Sequence, residues 1–253
     1  MTGNHPEDNE IRFCTGNCEL FPVSELSGIV ELDLGCGVGS FTAELARRYP
    51  NHHILAADVM VGRLRKLVRR CRRLGIDNIT ILRTEARWLI ARMLPDESIG
   101  RIHLLCPDPW PKGRHRAHRL LTSDFVSQIH RVLKPSGIFH FSSDDVPYFE
   151  AVKRIFASSL LFQEDPGSIS DLSDVKSDFE LRWNDEGKPV HHISYRRLPR
   201  PPHTHDPSLS VREETKAAKE NRGKVCRGNR DRPFQRHISE QIDRATRSYV
   251  SGG

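Results

Sequence analysis

The chain lacks the features that mark membrane-spanning, secreted and disulfide-stapled proteins. No apolar run approaches the ~18 residues that a membrane-crossing helix needs, so no membrane partner is expected. The opening residues, MTGNHPEDNE, are polar and acidic where a secretory leader would be basic and then apolar, so no signal peptide is expected. The 6 cysteines are scattered, and only Cys14 and Cys18 lie close together. Without a second close pair the zinc-ligand pattern is incomplete, so no metal is expected and reduced thiols in a cytoplasmic protein are. Aromatic residues make up only 7% and hydrophobic residues 37%, which permits a core but not a rich one. Acidic residues are the minority charge, 33 against 39 Lys and Arg, for a formal net charge of +6. A basic balance favours polyanionic partners, nucleic acid first and a membrane surface second.

What is present is an alternation of short apolar runs with helical patterns. Ile29 to Leu34, Ile54 to Ala57, Ile79 to Leu82, Ile102 to Leu105 and Ile138 to Phe141 read as buried strands. Between them, Phe41 to Arg48, Gly62 to Leu74, Arg87 to Leu94, Ser123 to Leu133 and Val146 to Ser158 read as helices. Phe125, Val126, Ile129 and Val132 should face inward, and Lys134-Pro135-Ser136-Gly137 should stop their helix. This order predicts an α/β fold, its sheet mainly parallel with helices on both faces. His191 to Arg197 alternates like a late strand, expected to run antiparallel. Composition shifts near Pro199. From Arg200 onward twelve Lys/Arg stand against seven Asp/Glu, so that segment carries most of the net charge. The expected organisation is an irregular segment over 1–25, a domain over 26–198, and a basic, disordered tail over 199–253.

Asp33-Leu34-Gly35-Cys36-Gly37-Val38-Gly39 follows the first strand and opens the first helix. Glycines there let backbone approach a ligand and adopt positive φ, and the helix adds its first N–H groups. A dinucleotide fingerprint would read G-x-G-x-x-G; this turn reads G-x-G-x-G, with an acid two residues before the first glycine. Asp58 closes the second strand 19 residues past Gly39, where an acid can accept both ribose hydroxyls. Glu85-Ala86 closes the third, where an adenine would lie. One such carboxylate means little; three at successive strand ends beside a glycine turn point to a nucleotide-type cofactor. An NAD-type domain and a fold that has lost its ligand stay open on the residues alone. The turn resembles motif I of the seven-stranded S-adenosylmethionine-dependent methyltransferases. That resemblance implies a Rossmann-like methyltransferase fold and S-adenosylmethionine as methyl donor, with S-adenosylhomocysteine as product.

The most loaded stretch is CPDPWPKGRHRAHRLL, Cys106 to Leu121, where the fourth strand ends. It holds one acid, three prolines, a tryptophan, four Lys/Arg and two histidines. Pro107-Asp108-Pro109-Trp110-Pro111-Lys112-x-Arg114-His115-x-x-x-Arg119-Leu120 resembles the signature of the tRNA (guanine-N7-)-methyltransferases, and the resemblance runs from about Glu31 to Arg197. It implies cofactor binding by Asp33, Gly35, Gly37, Gly39, Asp58, Glu85 and Ala86. It implies cofactor binding and catalysis by Asp108, and substrate contacts by Lys112 and Arg114. Ser143-Asp144-x-x-x-Tyr148 is similar to the family's Thr-Asp-Trp-x-x-Tyr, which puts Asp144 on the substrate. Ser177-Asp178-Phe179-Glu180-x-Arg182 is similar to its late Thr-Lys-Phe-Glu-x-Arg element, which adds Ser177 and Glu180. Ser177 departs from the family's Thr, and Asp145 stands where the family has Trp.

The implied activity is methyl transfer to N7 of a guanine in tRNA, by family analogy position 46 of the variable loop. Two alternatives stand beside it: a methyltransferase of another RNA or small molecule, and a non-catalytic RNA-binding relative. Lys112, Arg114, Arg116 and Arg119 can neutralise tRNA phosphates, or form a solvated loop. The basic helix pairs like charges at Arg65/Arg69 and Arg69/Arg73, which repel unless anions lie nearby. Either RNA backbone or local acidic partners would meet that need. The tail is either a second RNA arm or a solubilising extension. No feature of the sequence sets an oligomeric state.

Overall fold

The computed structural model describes residues 5–14, 20–110 and 119–200. Lys112, Arg114, Arg116 and the tail from residue 201 onward lie outside the described residues. Eight strands form one sheet: β1 (Ile11–Phe13), β2 (Ile29–Leu34), β3 (His52–Asp58), β4 (Ile79–Arg83), β5 (Ile99–Leu105), β6 (Leu133–Ser143), β7 (Phe162–Glu164) and β8 (His191–Arg197). Their order is β1-β4-β3-β2-β5-β6-β8-β7. The pairings of β1 through β6 are parallel, whereas β8 lies antiparallel between β6 and β7. The expected architecture is therefore present, with two short strands that the apolar pattern did not announce, Ile11–Phe13 and Phe162–Glu164. Ile11–Phe13, in a segment expected to be irregular, extends the sheet at the β4 edge.

Helices α1 (Ser40–Arg48), α2 (Val61–Leu74) and α6 (Asp178–Asp185) belong to the connections at one face. On the other face are α3 (Ala86–Trp88), which runs into a π-helical turn at Leu89–Met93, α4 (Ser123–Val132) and α5 (Val146–Ala157). Strand residues alternate between two cores. Leu32, Leu55, Leu82, Phe139 and Phe141 join Phe125, Val126, Ile129 and Val132 of α4. Ala56 and Ile81 meet Leu64, Leu67, Val68 and Cys71 of α2, and Ile54 meets Phe41 and Leu45 of α1. Sequential strands step outward from β2 to β3 and β4 on one side, and from β5 to β6 on the other. The chain order reverses between β2 and β5, and in open α/β sheets the crevice beyond those strand ends takes the ligand.

The arginines of α2 find protein partners. The short 3-10 helix Pro6–Glu10 lies along them. Arg65 grips Asp8 through two hydrogen bonds of 2.8 Å, Arg69 reaches Glu7 at 3.0 Å, and Arg72 donates to Glu10 at 2.7 Å. Local acidic partners are therefore present for Arg65, Arg69 and Arg72.

Candidate active site

The glycine turn separates into two functions. Gly35, Gly37 and Gly39 all take positive φ, at 84°, 60° and 79°. A methyl group added at Gly35 or Gly37 would meet nothing within 4 Å, whereas at Gly39 it would lie 2.3 Å from Leu67 Cδ1. Gly35 and Gly37 thus border open space, and Gly39 lets α1 pack on α2. Asp58 organises the turn: its Oδ2 accepts from Gly37 N at 3.1 Å and its Oδ1 from Met60 N at 2.7 Å. The Arg63 guanidinium stands 3.8 Å from Oδ2. A carboxylate has about four lone-pair sites, so acceptor capacity remains for a ligand.

A cavity of about 220 Å³ opens beside this turn, floored by Asp33, Phe41 and Leu105 and walled by Gly35 and Gly37. Its roof is α6, through Ser177, Asp178, Phe179 and Arg182. Asp33 is 2% exposed, and Thr42 Oγ1 donates to its Oδ2 at 2.5 Å. Burial pushes its carboxyl up to about 6, against the opposing pull of the Thr42 hydrogen bond and nearby His103. Such a group gains from an arriving cation, which favours its charged form. The Cys36 thiol in the turn is pushed well above its ordinary value by burial and is no nucleophile.

Glu85 caps α3, accepting from Trp88 N at 2.8 Å, and it and Ala86 are half-buried. Neither lines the cavity. The hydroxyl of Thr84 is buried without a hydrogen-bond partner. Thr84 N donates to Asp58 O at 3.2 Å, which ties the ends of the two strands together.

Beyond β5 the backbone turns sharply. Cys106 has φ 45° and Trp110 φ 43°, conformations unusual for residues with a Cβ. Cys106 N donates to Ser142 O at 3.0 Å, which ties the turn to β6. Burial holds the Cys106 thiol up to about 11, so it stays protonated. Asp108 is exposed, with Oδ1 accepting from Trp110 N at 3.3 Å. One oxygen therefore supports the proline-rich turn while the side chain still faces solvent. Arg119, at the far end of the same loop, donates through Nε to Pro109 O at 2.8 Å, and its guanidinium lies 4.6 Å from the Tyr148 ring centroid. Arg87 donates to Arg119 O at 2.6 Å. Arg119 thus staples the two ends of the loop, which leaves Lys112, Arg114 and Arg116 as the bases proposed for phosphate.

Asp144 is half-buried at the end of β6. Its neighbour Asp145 caps α5, accepting from Tyr148 N at 2.7 Å. The residue that departs from the family's Trp thus gains a capping function. Ser177 caps α6 by accepting from Glu180 N at 3.1 Å. Glu180 is 3% exposed and is held by Lys176 at 2.7 Å and His192 at 3.0 Å, away from the cavity lining. Asp178 docks α6 onto α1. It accepts from Ser40 N at 2.9 Å and from Ser40 Oγ, and Arg70 lies 3.5 Å from its Oδ1. Sequence reasoning missed Asp178, Phe179 and Arg182 as cavity residues. The signal was the S-x-x-E capping box, which announces a helix at Ser177.

A family model described as "Putative methyltransferase" matches residues 27–193. The tRNA (guanine-N(7)-)-methyltransferase of Geobacter metallireducens is 33% identical over 172 residues, 66% of this chain and 81% of that relative. The Syntrophotalea carbinolica protein of the same name is 32% identical over 171 residues, covering 74% of its length. The chain belongs to the tRNA (guanine-N7-)-methyltransferase family. The family's Thermotoga maritima member is 30% identical over 187 residues, which span 60% of its length. Among solved structures, the 16S rRNA methyltransferase KamB aligns with a TM-score of 0.52 at 16% identity, covering 70% of this chain and 91% of that one. A 16S rRNA (adenine(1408)-N(1))-methyltransferase from Catenulisporales acidiphilia aligns at 0.50 and 18% identity, covering 72% and 91%. At those identities the likeness is one of fold.

The residues present fit S-adenosylmethionine, the family's methyl donor. Open space beside Gly35 and Gly37, a buried carboxyl at Asp33 and an unpartnered Thr84 hydroxyl next to Glu85 in the chain are what an amino acid joined to a nucleoside would fill.

Proposed function

We propose that this protein transfers the methyl group of S-adenosylmethionine to N7 of a guanine in tRNA, at position 46 of the variable loop, acting in the cytoplasm. The observation that carries the reading is the position of Asp108, an exposed carboxylate on a tied turn at the carboxyl end of β5, three residues past Leu105, which lines a cavity fit for the donor. Guanine N7 already carries a lone pair and loses no proton on methylation, so no strong general base is needed. The protein's work is then positioning and electrostatics. In this reading Asp33, with the turn at Gly35 and Gly37, holds the amino-acid end of the donor, and Asp58, Glu85 and Ala86 hold the nucleoside. The sulfonium supplies an electrophilic methyl. Asp108 stabilises the positive charge that develops on the guanine ring, or grips the ring by accepting from N1–H and the exocyclic amine. Asp144 and Ser177 border the substrate, and Lys112, Arg114 and Arg116 neutralise its phosphates.

The test uses the full chain with labelled S-adenosylmethionine and unmodified tRNA, followed by chain cleavage at 7-methylguanine. Label should appear at one position, and Asp108→Ala should abolish it while leaving the fold and S-adenosylhomocysteine binding in place. Cofactor binding with no transfer to tRNA would defeat the proposal in favour of another substrate or a non-catalytic RNA binder. Undiminished turnover in the variant would remove Asp108 from the mechanism.

A further inference from the structure

Three histidines on neighbouring strands form a continuous hydrogen-bonded row between two buried carboxylates. His103 Nε2 lies 3.0 Å from Glu31 Oε2, and its Nδ1 lies 3.1 Å from His140 Nδ1. His140 Nε2 then meets His192 Nδ1 at 3.0 Å, and His192 Nε2 meets Glu180 Oε1 at 3.0 Å. The row crosses β2, β5, β6 and β8 and ends on α6. It runs beneath Phe41, whose ring centroid is 5.0 Å from that of His103 and which floors the cavity. His103 is also the in-register neighbour of Asp33 on the parallel strand β2. No group of three or more His, Cys, Asp or Glu that could hold a metal ion is found among the described residues, so the row is read as hydrogen bonds.

The proton count of this row is fixed by chemistry. Both terminal groups only accept: Glu31 is held at about 2, against burial, by the hydrogen bonds of His103 and Arg101, and Glu180 is lowered, also against burial, by His192 and Lys176. Four hydrogen bonds between two acceptors need four N–H groups. Three neutral imidazoles carry only three. Burial and the flanking rings hold the His140 proton affinity well below its ordinary value, so the extra proton does not rest on the central ring. The other charges facing the row are Asp33 on β2, His52 on β3, Arg101 on β5, and Asp171 and Lys176 on the segment leading to α6.

We infer that His103, His140 and His192 are positioning residues that share one excess proton, and that this proton fastens α6 over the cofactor cavity. The inference rests on the reading of that cavity as the donor's site. When the proton leaves, one junction is left with two facing lone pairs. The His192–Glu180 junction yields first, because the His192 side chain is 25% exposed while that of His103 is fully buried. Glu180 then loosens, and with it the helix that carries Ser177, Phe179 and Arg182. Cofactor affinity falls as the pH rises.

Glu180→Gln isolates the effect. Its carboxamide can donate to His192, so all four junctions fill with three neutral rings, while Lys176, which shares Oε1 with His192 in the wild type, must move to the remaining oxygen; Lys176→Met, measured alongside, shows what that contact contributes. S-adenosylhomocysteine affinity is measured by calorimetry from about pH 6 to about pH 9. Wild type should weaken by about fivefold or more, and the variant should lack that component. Titration of Asp33 and of the ligand's amino group is common to both proteins and cancels in the comparison. Nitrogen-15 spectra of the wild-type histidines at neutral pH should show four of the six ring nitrogens protonated. Identical pH slopes in the two proteins, or three protonated nitrogens, would overturn the inference. If the variant does not fold, the spectra decide alone. Methyl transfer to tRNA is scored separately: its absence alongside an intact pH difference would defeat the proposed function and leave the relay standing.

Discussion

The glycines of the turn look equivalent in the G-x-G-x-G pattern, and their surroundings separate them into a testable contrast. Gly39→Ala places a Cβ 2.3 Å from Leu67 Cδ1 and 3.0 Å from its Cγ. Leu67 is fully buried in the α2 core and has no open direction in which to move. A left-handed conformation costs an L-residue about 1–2 kcal/mol, and overpacking adds about 1–3 kcal/mol. Gly39→Ala should therefore destabilise the fold by about 2–5 kcal/mol. Gly37→Ala incurs the same conformational cost at φ 60° but meets nothing within 4 Å, so about 1–2 kcal/mol is expected. Its methyl instead enters the space the donor needs, and overpacking of about 1–3 kcal/mol there corresponds to a loss of roughly fivefold to 150-fold in S-adenosylhomocysteine affinity. Denaturant unfolding gives the stabilities and calorimetry the affinities. The double variant Gly39→Ala with Leu67→Ala should cost less than the sum of the single changes, by about 1–3 kcal/mol of coupling. Strict additivity, a Gly39→Ala protein as stable as wild type, or undiminished affinity in Gly37→Ala would refute the division of roles.

Asp33 makes stability depend on pH. Its folded value of about 6 lies above the ordinary carboxylate range, so its contribution is full below about pH 4 and is lost as the pH rises through 6, by about 3 kcal/mol. The difference in unfolding free energy between wild type and Asp33→Asn should change by that amount between about pH 4 and pH 7; parallel profiles would be the contrary result. Lys112→Ala and Arg114→Ala should each reduce the salt dependence of tRNA binding by about one phosphate contact, whereas Arg72→Ala, whose partner is Glu10, should leave it unchanged. The opposite ranking would return RNA to the α2 face. Arg119→Ala should lower turnover with little change in that salt slope, because Arg119 holds Pro109 and Tyr148; a slope reduced by about one would make it a phosphate ligand after all.

The fold was legible wherever a segment was long enough to show a period. The apolar runs that became β2 to β6 are flanked by glycine and basic breaks, and α4 buries the four residues its spacing assigns to the core, Phe125, Val126, Ile129 and Val132. His191–Arg197 alternates and is a strand over those same residues. Three-residue strands such as Ile11–Phe13 and Phe162–Glu164 are too short for alternation to register, and their identity comes from the edge they join. α6 was concealed because its inner face is polar: it buries Glu180, not an apolar stripe. The partners of α2 lie 57 to 62 residues away in the acidic run PEDNE, and only the complementary charge of the two segments hinted at the match.

The same difference explains why the histidine row was invisible. Each histidine sits among apolar neighbours in its strand, in IHLL, FHF and HHIS, where a single buried imidazole reads as a satisfied core residue. A strand fixes which face a residue occupies, but only the register between strands decides which residues meet. Here β5 and β6 pair His103 with His140, while His192 pairs with Ser142 and reaches His140 diagonally. Had β8 been shifted by one residue, His192 would face the opposite core and Glu180 would be a buried acid with Lys176 alone. The antiparallel strand that distinguishes this sheet is therefore also what ties the late helix to the carboxylates beneath the cofactor cavity.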